Sequence, residues 1–172
     1  IVGSWYFNET PVPNAGGPVV MTFMANGQFV FGQDGDPVAD PSGLDGMEWG
    51  TYSYDGSTLS GNVGLDTNGS WGLNDSFESG GISVSVIGDV LTFGAGTSDS
   101  IDLARVNSTS IIGGWKFDGA VDDETIVITF IDSSNYMVTH GNDIDISGAA
   151  GIEYGTYTWD DITGAFAYTP IT

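Results

Sequence analysis

Gly46-Met47-Glu48-Trp49-Gly50-Thr51-Tyr52-Ser53-Tyr54-Asp55 returns further along the chain as Gly151-Ile152-Glu153-Tyr154-Gly155-Thr156-Tyr157-Thr158-Trp159-Asp160, with its acidic, glycine and aromatic positions in the same order. The match extends outward. Gly3-Ser4-Trp5-Tyr6-Phe7 corresponds to Gly114-Trp115-Lys116-Phe117, and the pair 21–23 and 29–31 corresponds to 128–130 and 136–138. The offsets are 110 at the tryptophans (5 to 115), 107 at the phenylalanines (23 to 130) and 105 at the glutamates (48 to 153), so only small loop insertions separate the copies. A period this long indicates tandem domains, not a solenoid of short coils. The spacing predicts a complete unit over residues 1–108 and the first part of a second over 109–172. Nothing in the second copy corresponds to residues 62–106, so its remaining strands are expected from a longer chain or from another molecule.

Twenty-seven glycines and frequent Asn-Gly, Asp-Gly and Gly-Gly pairs cut the chain into short pieces without a 3.6-residue apolar period. This predicts an all-β chain with no helix. In the first unit, strands are expected at 4–8, 19–24, 28–32, 47–54, 58–65, 70–73, 82–87, 90–93 and 100–106. The clearest hairpin spans Asn26-Gly27, read as a tight primed turn. Along 47–54 the side chains alternate, so Glu48, Tyr52 and Tyr54 share one face and Met47, Trp49, Thr51 and Ser53 the other. The aromatic face is the better candidate for the inside. Eight or nine strands in about a hundred residues suit an up-and-down antiparallel barrel, whose closure removes exposed edges.

Gly3-x-Trp5, Phe23-x-x-Asn26-Gly27-x-Phe29, Gly50-Thr51-Tyr52-x-Tyr54-Asp55-Gly56-x-x-Leu59, Val86-x-Gly88-Asp89-x-Leu91-Thr92-Phe93 and Leu103-Ala104-Arg105-Val106 follow one another in an order that resembles the bacterial lipocalin-like (calycin) repeats of secreted and surface proteins. The resemblance covers nearly all of the first unit and the first half of the second. It implies an antiparallel barrel in which an arginine from the last strand covers the first-strand tryptophan. The one arginine of the chain, Arg105, stands at that position, and Trp115 has no such partner.

Five Trp, nine Phe and seven Tyr supply a core, while 23 acidic residues against Arg105 and Lys116 give a formal charge of −21. That charge strongly disfavours nucleic acid and anionic membrane surfaces as partners, because there are almost no cations to neutralise phosphate. No apolar run approaches the roughly 18 residues of a membrane span. The absence of cysteine rules out disulfides and thiolate metal sites. Low lysine with abundant Gly, Asp, Asn, Ser and Thr suggests an extracellular or cell-surface setting, and sequons stand at Asn8, Asn68, Asn74 and Asn107.

Few residues are candidates for chemistry. Trp5 and Arg105 are expected to stack; a role for Arg105 in binding a substrate anion is the alternative. Glu48 and Glu153, each set before an aromatic and a glycine, are expected to be structural carboxylates paired with Arg105 or tyrosine hydroxyls, since no second carboxylate recurs beside them for acid–base work. Asp34, Asp36 and Asp40, with Asn142, Asp143 and Asp145, form two oxygen-rich loops that suit calcium, although neither matches a known calcium-loop pattern. A single histidine, His140, argues against zinc and against a Ser-His-Asp triad. The expected function is a non-enzymatic, adhesin-like or filament-forming structural repeat whose partners are further copies or neighbouring subunits. A barrel binding a small apolar ligand, lined by Phe29, Tyr52, Tyr54 and Phe93, is the alternative.

Overall fold

The repeated stretch becomes β4 (Gly46–Tyr54), the longest strand of an eight-stranded barrel together with β5 (Thr58–Asp66). A computed structural model describes residues 1–7, 18–34, 45–69, 72–117, 126–141 and 150–171. The barrel runs β1 (Gly3–Phe7), β2 (Val19–Phe23), β3 (Gln28–Gln33), β4, β5, β6 (Ile82–Ile87), β7 (Val90–Phe93) and β8 (Ile101–Arg105), each strand antiparallel to the next. It closes where β8 returns to β1 through the pairs Trp5↔Arg105 and Tyr6↔Ala104. A second sheet follows as a meander, β9 (Gly113–Lys116), β10 (Ile126–Phe130), β11 (Asn135–His140), β12 (Gly151–Trp159) and β13 (Phe166–Pro170).

The two sheets share one register. Gly3↔Phe23, Phe23↔Phe29 and Phe29↔Gly50 in the barrel correspond to Gly113↔Phe130, Phe130↔Tyr136 and Tyr136↔Gly155. The Gly-Thr-Tyr step explains why this stretch recurs. At Gly50 a Cβ would collide with the Asn62 carbonyl and press to 3.0 Å on the Phe29 ring; at Gly155 it would collide with the Thr169 carbonyl and come to 2.8 Å of the Tyr136 ring. Glycine therefore lets an aromatic from β3 or β11 lie across the strand. Two residues on, Tyr52 bonds back to the preceding hairpin, its N–H donating to the Gly27 carbonyl at 2.7 Å and its hydroxyl to the Met24 carbonyl at 2.8 Å. Tyr157 repeats both bonds, to Ser134 at 2.7 Å and Asp132 at 2.5 Å. The stretch is a clamp that fixes the β2–β3 turn onto β4.

Inside the barrel, Trp5, Phe23, Phe29, Phe31, Leu59, Leu91 and Leu103 are almost wholly buried and form one cluster with Val84 and Phe93. Burying each such side chain stabilises the fold by about 1.5–3 kcal/mol. Glu48 lies among them with no exposed surface and Tyr52 packs edge-on to Phe23, so the aromatic face of β4 is the inner one.

Two expectations are corrected. Residues 72–73 lead, not into a strand, but into a single-turn helix, α1 (Asn74–Glu78), whose Phe77 meets the Phe29 ring edge-on at 5.8 Å. One turn carries no periodicity for a sequence pattern to reveal. The β2–β3 connection is not a primed turn either: only Gly27 has a positive φ, of 83°, and Met24 N–H reaches over the turn to the Gln28 carbonyl. That is a three-residue loop closed by a glycine bulge.

The outer face of β2–β4 packs on the second sheet. Val20, Ile131 and Met137 form one apolar cluster with Tyr6, Ile152 and Tyr154; Val30, Met47 and Val127 form another with Met24, Trp49, Leu65, Ala150 and Ile152. In the shared register Val20 corresponds to Val127, Met24 to Ile131, Val30 to Met137, Met47 to Ile152 and Trp49 to Tyr154. Exchanging the units therefore carries five of the six residues of the first cluster into the second, all but Tyr6, whose counterpart is Lys116; Leu65, Ala150 and Ile152 are additions to the second. Gly32 sits near the centre, where a Cβ would strike Met137 and Thr139, the latter its own counterpart. The units are packed back to back about a pseudo-twofold axis.

The clamp makes a contrast between two glycines of one strand pair. Gly50→Ala is expected to lower the thermal midpoint far more than Gly64→Ala, whose added methyl would meet nothing closer than Trp49 at 3.4 Å. Melts of the two variants check this, and equal losses would contradict the close-approach account.

Candidate functional site

At the β1–β8 seam the Arg105 guanidinium lies 3.9 Å from the centre of the Trp5 ring. Its Nε faces Asp89 at 3.3 Å and its Nη1 donates to the Val2 carbonyl at 3.2 Å, while the Trp5 indole N–H donates to the Ile1 carbonyl at 2.8 Å. The ion pair is largely exposed and adds little. The stack is the stronger element, at about 0.5–2 kcal/mol. Trp115 repeats the indole bond, to the Ile111 carbonyl at 2.7 Å, but its ring is 53% exposed where that of Trp5 is fully covered.

Glu48 points into the barrel from near the start of β4, opposite the end of β5, and its partners differ from the expectation. Neither Arg105 nor a tyrosine reaches it; Leu73 N–H donates to Oε2 at 2.7 Å and Asn74 N–H to Oε1 at 3.1 Å. These are the first amides of α1, left without intrahelical acceptors, so the carboxylate caps a helix remote in sequence. Burial pushes the Glu48 carboxyl up to about 7, against the pull of the two amides, with Asp66 and Asp75 adding repulsion. In the second unit Glu153 instead accepts a 2.6 Å bond from the Tyr136 hydroxyl, whose ionisation is raised by burial and by that carboxylate. Tyr136 stands where the first unit has Phe29. The hydroxyl takes over a role that α1 performs in the barrel.

The four aromatics expected to line a ligand cavity are mostly core. Phe29 is sealed between Phe23 and Phe77, Tyr52 is tied to the Met24 carbonyl, and the hydroxyl of the half-buried Tyr54 donates to the Gly56 carbonyl. Phe93 borders a cavity of about 200 Å³ with Phe7, Val19, Phe31, Leu73 and Leu103. Ligand pockets usually hold 300–1,000 Å³. A larger, more polar cleft of about 560 Å³ runs between the units and is lined in part by Ser4, Thr22, Asn107 and Trp115, with both cations, Arg105 and Lys116, on its walls.

Of the oxygen-rich loops, Asp34 is described; Asp36, Asp40, Asn142, Asp143 and Asp145 lie outside the described residues. Asp34 is held protonated to higher pH than usual by burial and by its contact with Asp45. Among the described residues no three His, Cys, Asp or Glu side chains are grouped as metal ligands. Of the sequons, Asn8 is likewise outside the described residues, and Asn68 is fully buried and donates to Gln33.

Sequence reasoning missed α1 and the plug it supplies. The visible signal was Gly61, where a Cβ would press on the Phe77 ring. Comparison with protein families, with characterised proteins and with solved structures finds no match to this chain.

Removing the stack by Arg105→Ala should destabilise the barrel by about 0.5–2 kcal/mol, through lost packing as well as lost charge. Denaturant titration gives the value, and an unchanged midpoint would show that the seam does not need it. Glu48 predicts a pH effect of definite sign. Its folded pKa lies above the unfolded one, so its contribution is complete below about 4.5 and is lost as pH rises through about 7. The loss is at most about 3 kcal/mol. Between pH 5 and 8 the thermal midpoint should fall more for the native chain than for Glu48→Gln; parallel curves would refute the assignment.

Proposed function

We propose that this chain is a non-enzymatic structural repeat of an extracellular or cell-surface protein, related to the lipocalin-like repeats and working by association with further copies of the same repeat. One observation carries the reading: apart from the cavity of about 200 Å³ beside Phe93, the barrel interior is filled by its own side chains, from Trp5 and Phe23 to Leu91 and Leu103, each 2% exposed or less. A filled interior leaves stability and surface as what the barrel offers. The acidic surface, with 23 carboxylates against two cations, supports a solvated, extracellular setting and disfavours nucleic acid. No helix among the described residues is long and apolar enough to cross a membrane. The shared register of the two sheets supports a protein assembled from copies of one unit.

The apolar-ligand reading keeps one supporting feature, the 200 Å³ cavity beside Phe93. Calorimetric titration with fatty acids and aromatic lipophiles separates the two readings. The structural repeat predicts no saturable heat in the native chain. Saturable binding that is lost on filling the cavity with Phe93→Trp would overturn the proposal in favour of a ligand carrier.

A further inference from the structure

The inner face of the second sheet is equivalent to a surface that is fully covered in the first unit. There, α1 and β6–β8 bring Phe77, Val84, Leu91, Phe93 and Leu103 onto the inner side chains of β1–β5. In the second unit Phe130, Tyr136 and Tyr157 at the centre of that face are buried beneath Phe166, Tyr168 and Ile111, but the cover is thin: Trp115 is 53%, Phe166 45% and Tyr168 57% exposed, and β9 and β13 each pair with one neighbour among the described residues. Phe166 and Tyr168 stack on each other at 5.9 Å, and Tyr168 meets Tyr136 edge-on. An aromatic face with two unpaired edges is a template for further strands.

Internal equivalence and charge both say what fits. At one edge Trp5↔Arg105 and Tyr6↔Ala104 translate to an arginine opposite Trp115 and a small residue opposite Lys116. At the other, Leu59↔Ile82 translates to an apolar residue opposite Phe166. Residues 109–172 hold ten acidic side chains against Lys116 alone, so a strand bringing a cation is complementary. A folded copy of this chain cannot lend its β6–β8, because those strands are already bonded to β5 and β1.

Resting on the structural-repeat reading above, we propose that the open face of the second unit receives a free β6–β8-type segment of this repeat, supplied by a further copy, whose last strand pairs antiparallel with β9 and lays an arginine on Trp115. The segment completes a second barrel back to back with the first.

The probe is a synthetic peptide with the sequence of residues 82–106, titrated into the full chain and followed by amide hydrogen exchange and tryptophan fluorescence. Saturable binding should protect β9 and β13, shift Trp115 emission to the blue, and weaken about two- to thirtyfold when alanine replaces the peptide's arginine. Tyr168→Lys, which alters an exposed position, should abolish binding while the β1–β8 amides stay protected. Binding without protection at β9, or with no dependence on the arginine, would overturn the proposal. So would a dimer of the chain alone with β9 already protected, because the strands would then come from an exchanged barrel. If the peptide fails to bind while lipophiles also give no heat, the structural-repeat reading stands and this inference alone falls.

Discussion

Closure of the barrel depends on a short seam between β1 and β8, two residue pairs long, where Trp5 faces Arg105. Every other strand pair of the barrel joins neighbours in sequence; this one joins the ends of the unit. With the seam made, β1 and β8 have no free edge, and Trp5, Phe23, Phe29, Phe31 and Leu59 are buried inside. The consequence is visible in paired residues. Trp5 is covered by a guanidinium and by the core, whereas Trp115, in the same register with the same indole bond to the residue four before it, stands half in water.

The back-to-back packing sets a second constraint. Equivalent outer faces cover each other about a pseudo-twofold axis, and an isologous contact of this kind closes on itself. Val20, Val30 and Met47 are consumed together with Val127, Met137 and Ile152, so no third unit can stack through this face. Growth into a larger assembly must use other surfaces. The inner faces of the two units point away from each other, one sealed by β6–β8 and one covered only by exposed rim aromatics, which directs that growth to the side of β9–β13.

Much of this was legible in the sequence because a repeat compares the chain with itself. The alternation of Glu48, Tyr52 and Tyr54 against Met47 and Trp49 identified the inner face, and the resemblance to the lipocalin-like repeats implied that the one arginine lies on the closing strand. The outer face was harder to read. Met47 and Trp49 fell on the side read as outer, and nothing in the spacing said that this side would be covered by its own counterpart. The partners of Glu48 were invisible for another reason. A buried carboxylate bonded to two backbone amides leaves no trace in side-chain identity, and the helix that supplies them is one turn long. In the second unit the same need is met by a hydroxyl, Tyr136 in place of Phe29, which is a difference the alignment of the two copies contained.

Amide hydrogen exchange on the isolated chain tests the central claim, that one sheet is closed by its seam and its counterpart is open. The amides bonded across the seam, among them Val106 N–H to the Ser4 carbonyl, should exchange at rates near those of global unfolding. Amides of β9 and β13 that point away from β10 and β12 should exchange orders of magnitude faster, on the order of a hundredfold or more. Equal protection at β1 and β9 would contradict the account, because the second unit would then be closed by strands other than those described here.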